Sequence, residues 1–156
     1  MDRATALRNV KTDDPRKGRA RILLVDDDER NLLALTEVLD GLAEVVTATS
    51  GREALRRLLE GDFAVILLDV FMPGMDGYET AQLIRERQQT ARIPIIFLSA
   101  VNKETEHLMR GYAMGAVDYV FKPVDIDLLL ALMRVWIGRV RATKTAHRSR
   151  KSSKAA

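Results

Sequence analysis

The chain has 156 residues, of which 47% are hydrophobic and 30% charged, and it contains no cysteine. This length fits one compact domain with tails, and the lack of cysteine excludes disulfides and thiolate metal sites. No apolar run approaches the roughly 18 residues of a membrane span, and the mixed-charge N-terminus is not a secretory signal. We therefore expect a cytoplasmic protein without membrane insertion.

Both ends of the chain are basic, whereas its middle is acidic. Residues 1–20 carry six Lys/Arg against three Asp, and residues 141–156 carry six Lys/Arg and no acid. We expect disordered tails at 1–20 and 142–156 around one domain at 21–141, because such tails cannot bury enough apolar surface to fold. Contact of the C-terminal tail with nucleic acid or an acidic partner is the alternative. We do not expect nucleic-acid binding, since that tail lacks interleaved aromatic residues.

The first predicted elements alternate between strands and helices. Arg21–Val25 is a nearly continuous apolar run, typical of a strand covered on both faces, and Glu29–Leu39 repeats apolar residues at helical spacing. Glu44–Ala48 is a second, weaker strand. Ser50 is the predicted cap of the next helix, with Glu53 three residues on, as in a capping box.

The second half continues this alternation after a Pro- and Gly-containing loop at Val70–Asp76. The remaining predictions are strands at Ala64–Leu68, Ile93–Leu98 and Ala116–Phe121, and helices at Gly77–Gln88, Asn102–Met114 and from Asp125 to about Arg141. Five such units predict an α/β fold with a parallel sheet and helices on both faces. Ligands of doubly wound sheets bind at the carboxyl ends of the strands. The polar residues there are Asp26, Asp27, Asp69, Ser99 and Lys122.

These residue types together suggest phosphoryl chemistry. Three converging carboxylates repel one another unless a positive group joins them, and a hard divalent cation does so through oxygen ligands. Lys122 supplies a fixed charge, Ser99 a hydroxyl donor, and Asp69 a carboxylate nucleophile able to form an acyl phosphate. Each residue alone has a plainer role as a cap, a turn residue or a solvated side chain. Their joint placement favours the site.

The motifs ILLVDDD, LLDVFMPGMDG, IFLSA and YVFKP follow one another over residues 20–140. In that order the chain resembles a receiver domain of a two-component response regulator. The resemblance implies a flavodoxin-like fold with five helices and strand order 2-1-3-4-5. It further implies a bacterial signalling switch, not an enzyme, with at most slow self-dephosphorylation. The implied partner is a histidine kinase or a histidine phosphotransfer protein.

The resemblance also assigns roles at the sheet edge. Asp69 matches the phosphoacceptor, and Asp26 and Asp27 match the acidic pair of a Mg²⁺ (or Mn²⁺) site. The backbone carbonyl of Phe71 is a further implied ligand. Asp28 falls at a variable position and is not expected to bind the metal.

Three more residues match the catalytic and switch positions of this pattern. Lys122 matches the lysine that pairs with the phosphoacceptor, and a cis peptide is implied between Lys122 and Pro123. Ser99 and Tyr119 match the switch pair. Ser99 is expected to move towards the phosphoryl group, and the ring of Tyr119 to turn into the vacated space.

The predicted fifth helix is apolar on two sides. We expect one side to pack on the sheet: Leu129, Met133, Trp136, Ile137 and Val140. The other side carries Leu128, Leu132 and Val135, which we interpret as an interface. It would serve a homodimer through helices 4 and 5, or a helix that continues into another domain. Scattered exposed apolar residues are the alternative explanation.

We therefore expect phosphorylation of Asp69 to switch the helix 4/strand 5/helix 5 surface for dimerisation or partner docking. A stand-alone regulator is the first expectation, because no output domain is encoded in these residues. A receiver excised from a larger hybrid kinase or multidomain regulator is the alternative. An aspartate-nucleophile phosphatase is a distant one, since the acidic pair here precedes the acceptor in sequence.

Overall fold

A computed structural model describes residues 19–100, 109, 113 and 116–139. Within these residues five parallel strands form one sheet in the order β2-β1-β3-β4-β5: β1 (Arg21–Val25), β2 (Glu44–Ala48), β3 (Val65–Asp69), β4 (Ile95–Ala100) and β5 (Ala116–Lys122). The helices are α1 (Glu29–Leu39), α2 (Gly51–Leu58), α3 (Gly77–Glu86) and a C-terminal helix at residues 126–139. The predicted doubly wound topology and strand order are confirmed.

Not every predicted element lies among these residues. The helix expected at Asn102–Met114 falls outside them, except for Met109 and Ala113, which are helical. The predicted domain limits and tails also fall largely outside, so they stay predictions.

The predicted bounds of β4 were wrong at both ends. Ile93 was expected to begin the strand, but its carbonyl accepts a hydrogen bond from Arg85 Nη1 at 2.6 Å, and its N–H donates to Thr90. Pro94 follows and has no N–H to donate to the ladder. The strand therefore begins at Ile95 and extends two residues further than predicted, which places Ser99 inside it.

Three other elements differ by one or two residues. β3 begins and ends one residue later than predicted, so that Asp69 is its last residue. β5 extends one residue further, to Lys122. α3 ends at Glu86 because Arg87 adopts an extended conformation.

The apolar runs of the strands divide between the two faces of the sheet, as expected when side chains alternate. In β1, Leu23 and Val25 join the core under α2 and α3, whereas Ile22 and Leu24 join the core under α1 and the C-terminal helix. All four are fully buried. Coverage on both faces explains why these four consecutive residues are apolar.

Helix caps set the conformation of the loops at the carboxyl edge. Asp28 caps α1 by accepting from Arg30 N, and Ser50 caps α2 by accepting from Glu53 N. The predicted capping box at Ser50 is incomplete, because the Glu53 carboxylate accepts instead from Thr49 N at 3.0 Å and Thr49 Oγ1 at 2.8 Å. A reciprocal capping box is present at the start of α3, where Asp76 and Glu79 bond each other's backbone N–H.

Candidate functional site

The register of the sheet brings the predicted site residues to one edge. Val25, which precedes Asp26, pairs with Leu68, which precedes Asp69. Asp69 in turn pairs with Leu98, which precedes Ser99. Since these strands end at similar levels, their terminal side chains share one crevice.

Three carboxylates in this crevice are close enough to hold one cation. Asp26, Asp27 and Asp69 each offer an oxygen, and these oxygens lie within 4.8 Å of one another. Asp26 and Asp69 are buried and Asp27 is exposed. Oxygen donors of this kind suit Mg²⁺ or Mn²⁺, and the exposed member leaves the site open to water.

Lys122 joins the two buried carboxylates. Its Nζ lies 3.0 Å from Asp26 Oδ2 and 3.4 Å from Asp69 Oδ2. Burial of the ammonium group lowers the pKa of Lys122, but the hydrogen bond to Asp26 and the charge of Asp69 outweigh it, so the pKa is raised. Lys122 is therefore a permanent cation at this edge. The peptide bond that follows it, to Pro123, is cis, as the resemblance implied.

The carboxyl group of Asp69 has an unusual affinity for its proton. Burial raises its pKa first, and the charge of Asp26 raises it further, to about 7, against the opposing effect of Lys122. Added positive charge strongly stabilises the ionised form of a carboxyl group in this environment. A cation at the acidic cluster would supply that charge and favour the ionised, nucleophilic form.

Asp26 is held in place by the start of α1. Its Oδ1 accepts from Asp28 N at 2.9 Å, and its Oδ2 has a longer contact, 3.4 Å, with Asn31 Nδ2. The Asp28 side chain caps the helix, and the hydrogen bond from Arg30 N lowers the pKa of this carboxyl. Asp28 is thus bonded to Asp26 through its backbone and to the start of α1 through its side chain. Asn31 was missed by sequence reasoning.

Phe71 lies in the loop after β3. Its N–H points towards Asp69 Oδ1 at 3.4 Å, and the residue is 55% exposed. The backbone of Phe71 is therefore beside the Asp69 carboxylate, as a carbonyl ligand of the same site would require. The role of that carbonyl stays a prediction.

The two expected switch residues occupy neighbouring strands. Ser99 is fully buried in β4, one residue beyond the partner of Asp69. Tyr119, in β5, is 8% exposed, and its ring centroid lies 5.4 Å from that of Phe97. The Tyr119 ring therefore points into the core in this structure.

Gly77 is a site residue that sequence reasoning missed. A Cβ at this position would lie 2.2 Å from the carbonyl oxygen of Asp69 and 2.8 Å from Val70 Cα. Gly77 N also donates to Val70 O at 2.8 Å. Only glycine lets the start of α3 pack so closely on the backbone of Asp69 and Val70. A glycine directly after the Asp76 cap was the available signal.

The C-terminal helix buries one side and exposes part of the other. Leu129, Met133 and Ile137 are buried as predicted, whereas Val140 lies outside the described residues. Of the predicted interface, Leu128 is 58% and Val135 51% exposed. Leu132 is half-buried against the core and contributes less to that surface. Trp136 is also only half-buried.

Within the part of the chain described, no helix is both long and apolar enough to cross a membrane.

Comparison with known proteins adds independent evidence. Residues 22–134 match the model of the response regulator receiver domain. A probable cyclic di-GMP phosphodiesterase of Vibrio cholerae is 43% identical over 109 residues, which are 69% of this chain and 24% of that protein. The transcriptional regulatory protein HprR of Escherichia coli K12 is 38% identical over 115 residues, 73% of this chain and 50% of that protein. The chain thus spans about a quarter of the length of the first relative and about half of the length of the second.

The fold also matches solved structures. The chemotaxis protein CheY4 of Vibrio cholerae superposes with a TM-score of 0.71 and 34% sequence identity. The match covers 75% of this chain and 98% of that one.

Proposed function

This chain belongs to the family of response regulator receiver domains of two-component systems, and on that premise we propose that Asp69 accepts a phosphoryl group from a histidine kinase or a histidine phosphotransfer protein. The observation that carries the proposal is the position of Lys122 Nζ, 3.0 Å from Asp26 and 3.4 Å from Asp69, beside three clustered carboxylates. Such a site has fixed positive charge for a phosphoryl group and oxygen ligands for a metal.

Asp26, Asp27 and Asp69, with the backbone carbonyl of Phe71, would hold Mg²⁺ or Mn²⁺. When bound there, the metal would neutralise charge on the transferring group. Its place among these residues is supported by the spacing of their oxygens and by the affinity of Asp69 for added positive charge. We expect metal binding to precede phosphoryl transfer for that reason.

In the transfer step, an Asp69 oxygen attacks the phosphorus of the phosphohistidine. The P–N bond breaks, its electron pair stays on the imidazole nitrogen, and an aspartyl phosphate forms. Lys122 Nζ exchanges its contact with the Asp69 carboxylate for one with a phosphoryl oxygen. The Ser99 hydroxyl donates a hydrogen bond to another phosphoryl oxygen.

The phosphoryl group then acts as a signal and no product is made from it. Movement of Ser99 and Tyr119 changes the surface formed by the helix predicted at Asn102–Met114, β5 and the C-terminal helix. There Leu128 and Val135, with a smaller part from Leu132, provide apolar area for dimerisation or partner docking. We place this switch in the cytoplasm.

Two of the relatives, a probable phosphodiesterase and a transcriptional regulatory protein, are longer than this chain. This chain matches only part of each, so their activities are not transferred to it. A receiver that works within a longer regulator remains the alternative to a stand-alone switch.

The proposal is tested by NMR of the full chain with beryllofluoride, a phosphoryl mimic, at millimolar Mg²⁺. We expect resonances around Asp69, Ser99 and Tyr119 to shift together. Asp69→Asn should abolish the shifts, and Asp62→Asn, which changes an exposed loop carboxylate, should leave them intact. Unperturbed resonances in the wild type, or identical shifts in Asp69→Asn, would contradict the proposal.

A further inference from the structure

A buried hydrogen bond joins two tyrosines from distant parts of the chain. The hydroxyl oxygens of Tyr78 and Tyr119 lie 3.1 Å apart, although the residues are 41 positions apart in sequence. Tyr78 is 2% and Tyr119 8% exposed. Buried hydroxyl groups are costly unless they are hydrogen-bonded, so this pair favours the geometry in which both rings point inwards.

An aromatic ring on β4 fixes the position of both tyrosines. Phe97 contacts Tyr78 edge-on, with centroids 5.0 Å apart, and Tyr119 in a tilted arrangement at 5.4 Å. Phe97 is itself fully buried. The two hydroxyl groups therefore meet next to a fixed apolar ring, and this arrangement depends on the inward position of Tyr119.

Tyr78 is next in sequence to a residue that packs against the Asp69 backbone. It directly follows Gly77, whose N–H donates to Val70 O and whose Cα packs on the Asp69 carbonyl. On the other side, Tyr119 lies three residues before Lys122, the partner of both buried carboxylates. Each tyrosine is thus connected by a short stretch of backbone to a group that contacts Asp69.

We propose that Tyr78 is a positioning residue that holds the Tyr119 ring in its buried position through the bond between their hydroxyl groups. The inference rests on the proposed function, in which the inward ring accompanies the phosphorylated state. Tyr78 then stabilises the signalling conformation without touching the phosphoryl group. An outward Tyr119 would break this hydrogen bond, so the bond biases the switch towards the inward position.

Tyr78→Phe is the direct test, because it removes one oxygen and keeps the ring against Phe97. The full chain is labelled with 3-fluorotyrosine in a Tyr112→Phe background, and the ¹⁹F signal of Tyr119 reports the environment of its ring. Without any phosphoryl mimic, we expect the ratio of outward to inward Tyr119 to rise about 5-fold, the change equivalent to one typical hydrogen bond. The beryllofluoride concentration for half-saturation should rise by no more than the same factor.

Thr80→Val is the matched control. Thr80 is also a fully buried hydroxyl residue of α3, and it donates to Asp76 O within its own helix. We expect this variant to lose some stability and leave the Tyr119 signal unchanged. A Tyr119 signal in Tyr78→Phe identical to the wild type, or one that shifts equally in Thr80→Val, would overturn the proposal. Failure of Asp69 to accept a phosphoryl group would appear separately, in the beryllofluoride titration of the wild type.

Discussion

At the scale of single residues, the most informative group is the Asp69 carboxyl. Its pKa is raised from 3.8 to about 7 by burial and by the charge of Asp26. Between these values the folded state holds a proton that the unfolded state has released, so folding is favoured at low pH. This contribution is lost as the pH rises through about 7.

We therefore predict that the metal-free protein loses roughly 2 kcal/mol of stability between pH 5 and pH 8 from this group alone. Asp69→Asn has no carboxyl group to titrate at this position and should lack that loss. Urea unfolding in EDTA at the two pH values measures the difference. A wild type whose pH dependence equals that of Asp69→Asn would show that the carboxyl is not perturbed.

Lys122 is expected to be structurally important as well as catalytic. Lys122→Ala leaves Asp26 and Asp69 without the cation that lies between them. We predict a loss of roughly 2 kcal/mol in the metal-free protein, less than for a fully buried pair because the lysine is partly exposed. Added Mg²⁺ should restore more stability to the variant than it adds to the wild type, measured as thermal midpoints with and without metal.

Arg30→Ala provides the comparison for that experiment. Arg30 is 93% exposed and pairs with Asp28 at the same edge of the sheet. An exposed pair contributes little, so a change within about 0.5 kcal/mol is expected. Equal losses in the two variants would argue against a special role for Lys122.

The residues that sequence reasoning identified share a local signature. Asp26, Asp69 and Lys122 each end an apolar run, so the topology alone brings them together. The bond between Tyr78 and Tyr119 has no such signature, because it depends on side-chain packing between α3 and β5. Periodicity places elements, but it does not specify which two hydroxyl groups meet in the core.

At the scale of elements, the close contact between α3 and the end of β3 is the feature most open to test. Gly77→Ala would place a methyl group against backbone atoms of Asp69 and Val70, which cannot move as a side chain can. We predict a loss of roughly 3 kcal/mol, at the upper end for overpacking. Phosphoryl acceptance should fall too, because the acceptor backbone must shift. Urea unfolding and a beryllofluoride titration measure the two effects.

Gly41→Ala is the matched control, since a Cβ there meets no described atom within 4 Å. It should change stability by no more than about 0.5 kcal/mol. A harmless Gly77→Ala would mean that α3 can move away from β3 without consequence.

Element boundaries were the least predictable feature of the fold. β1, β2 and α1 match their predicted bounds, because their apolar patterns end at polar residues. β4 does not, because the Arg85 side chain takes the Ile93 carbonyl out of the ladder. A contact between side chain and backbone eight residues apart leaves no trace in the apolar pattern.

At the scale of the whole molecule, the exposed apolar side of the C-terminal helix predicts assembly. Leu128 and Val135 are more than half exposed and contribute little to the core. The double substitution Leu128→Lys and Val135→Lys should leave stability within about 0.5 kcal/mol of the wild type. We expect beryllofluoride to convert the wild type to a dimer and to leave this variant monomeric, measured by light scattering after gel filtration.

Leu33→Lys is the control, since Leu33 is a 65% exposed leucine on α1 and not on the C-terminal helix. It should dimerise as the wild type does. Persistent monomers of the activated wild type would exclude the homodimer and leave docking of another partner as the role of this surface.

The central claim, that Asp69 is the phosphoacceptor, is tested most directly by the intact mass of the protein after incubation with acetyl phosphate and Mg²⁺. We predict that the wild type and Asp62→Asn each gain the mass of one phosphoryl group, that EDTA prevents the gain, and that Asp69→Asn gains nothing. An equal gain in Asp69→Asn would place the phosphoryl group elsewhere and contradict the account. So would a wild type that stays unmodified.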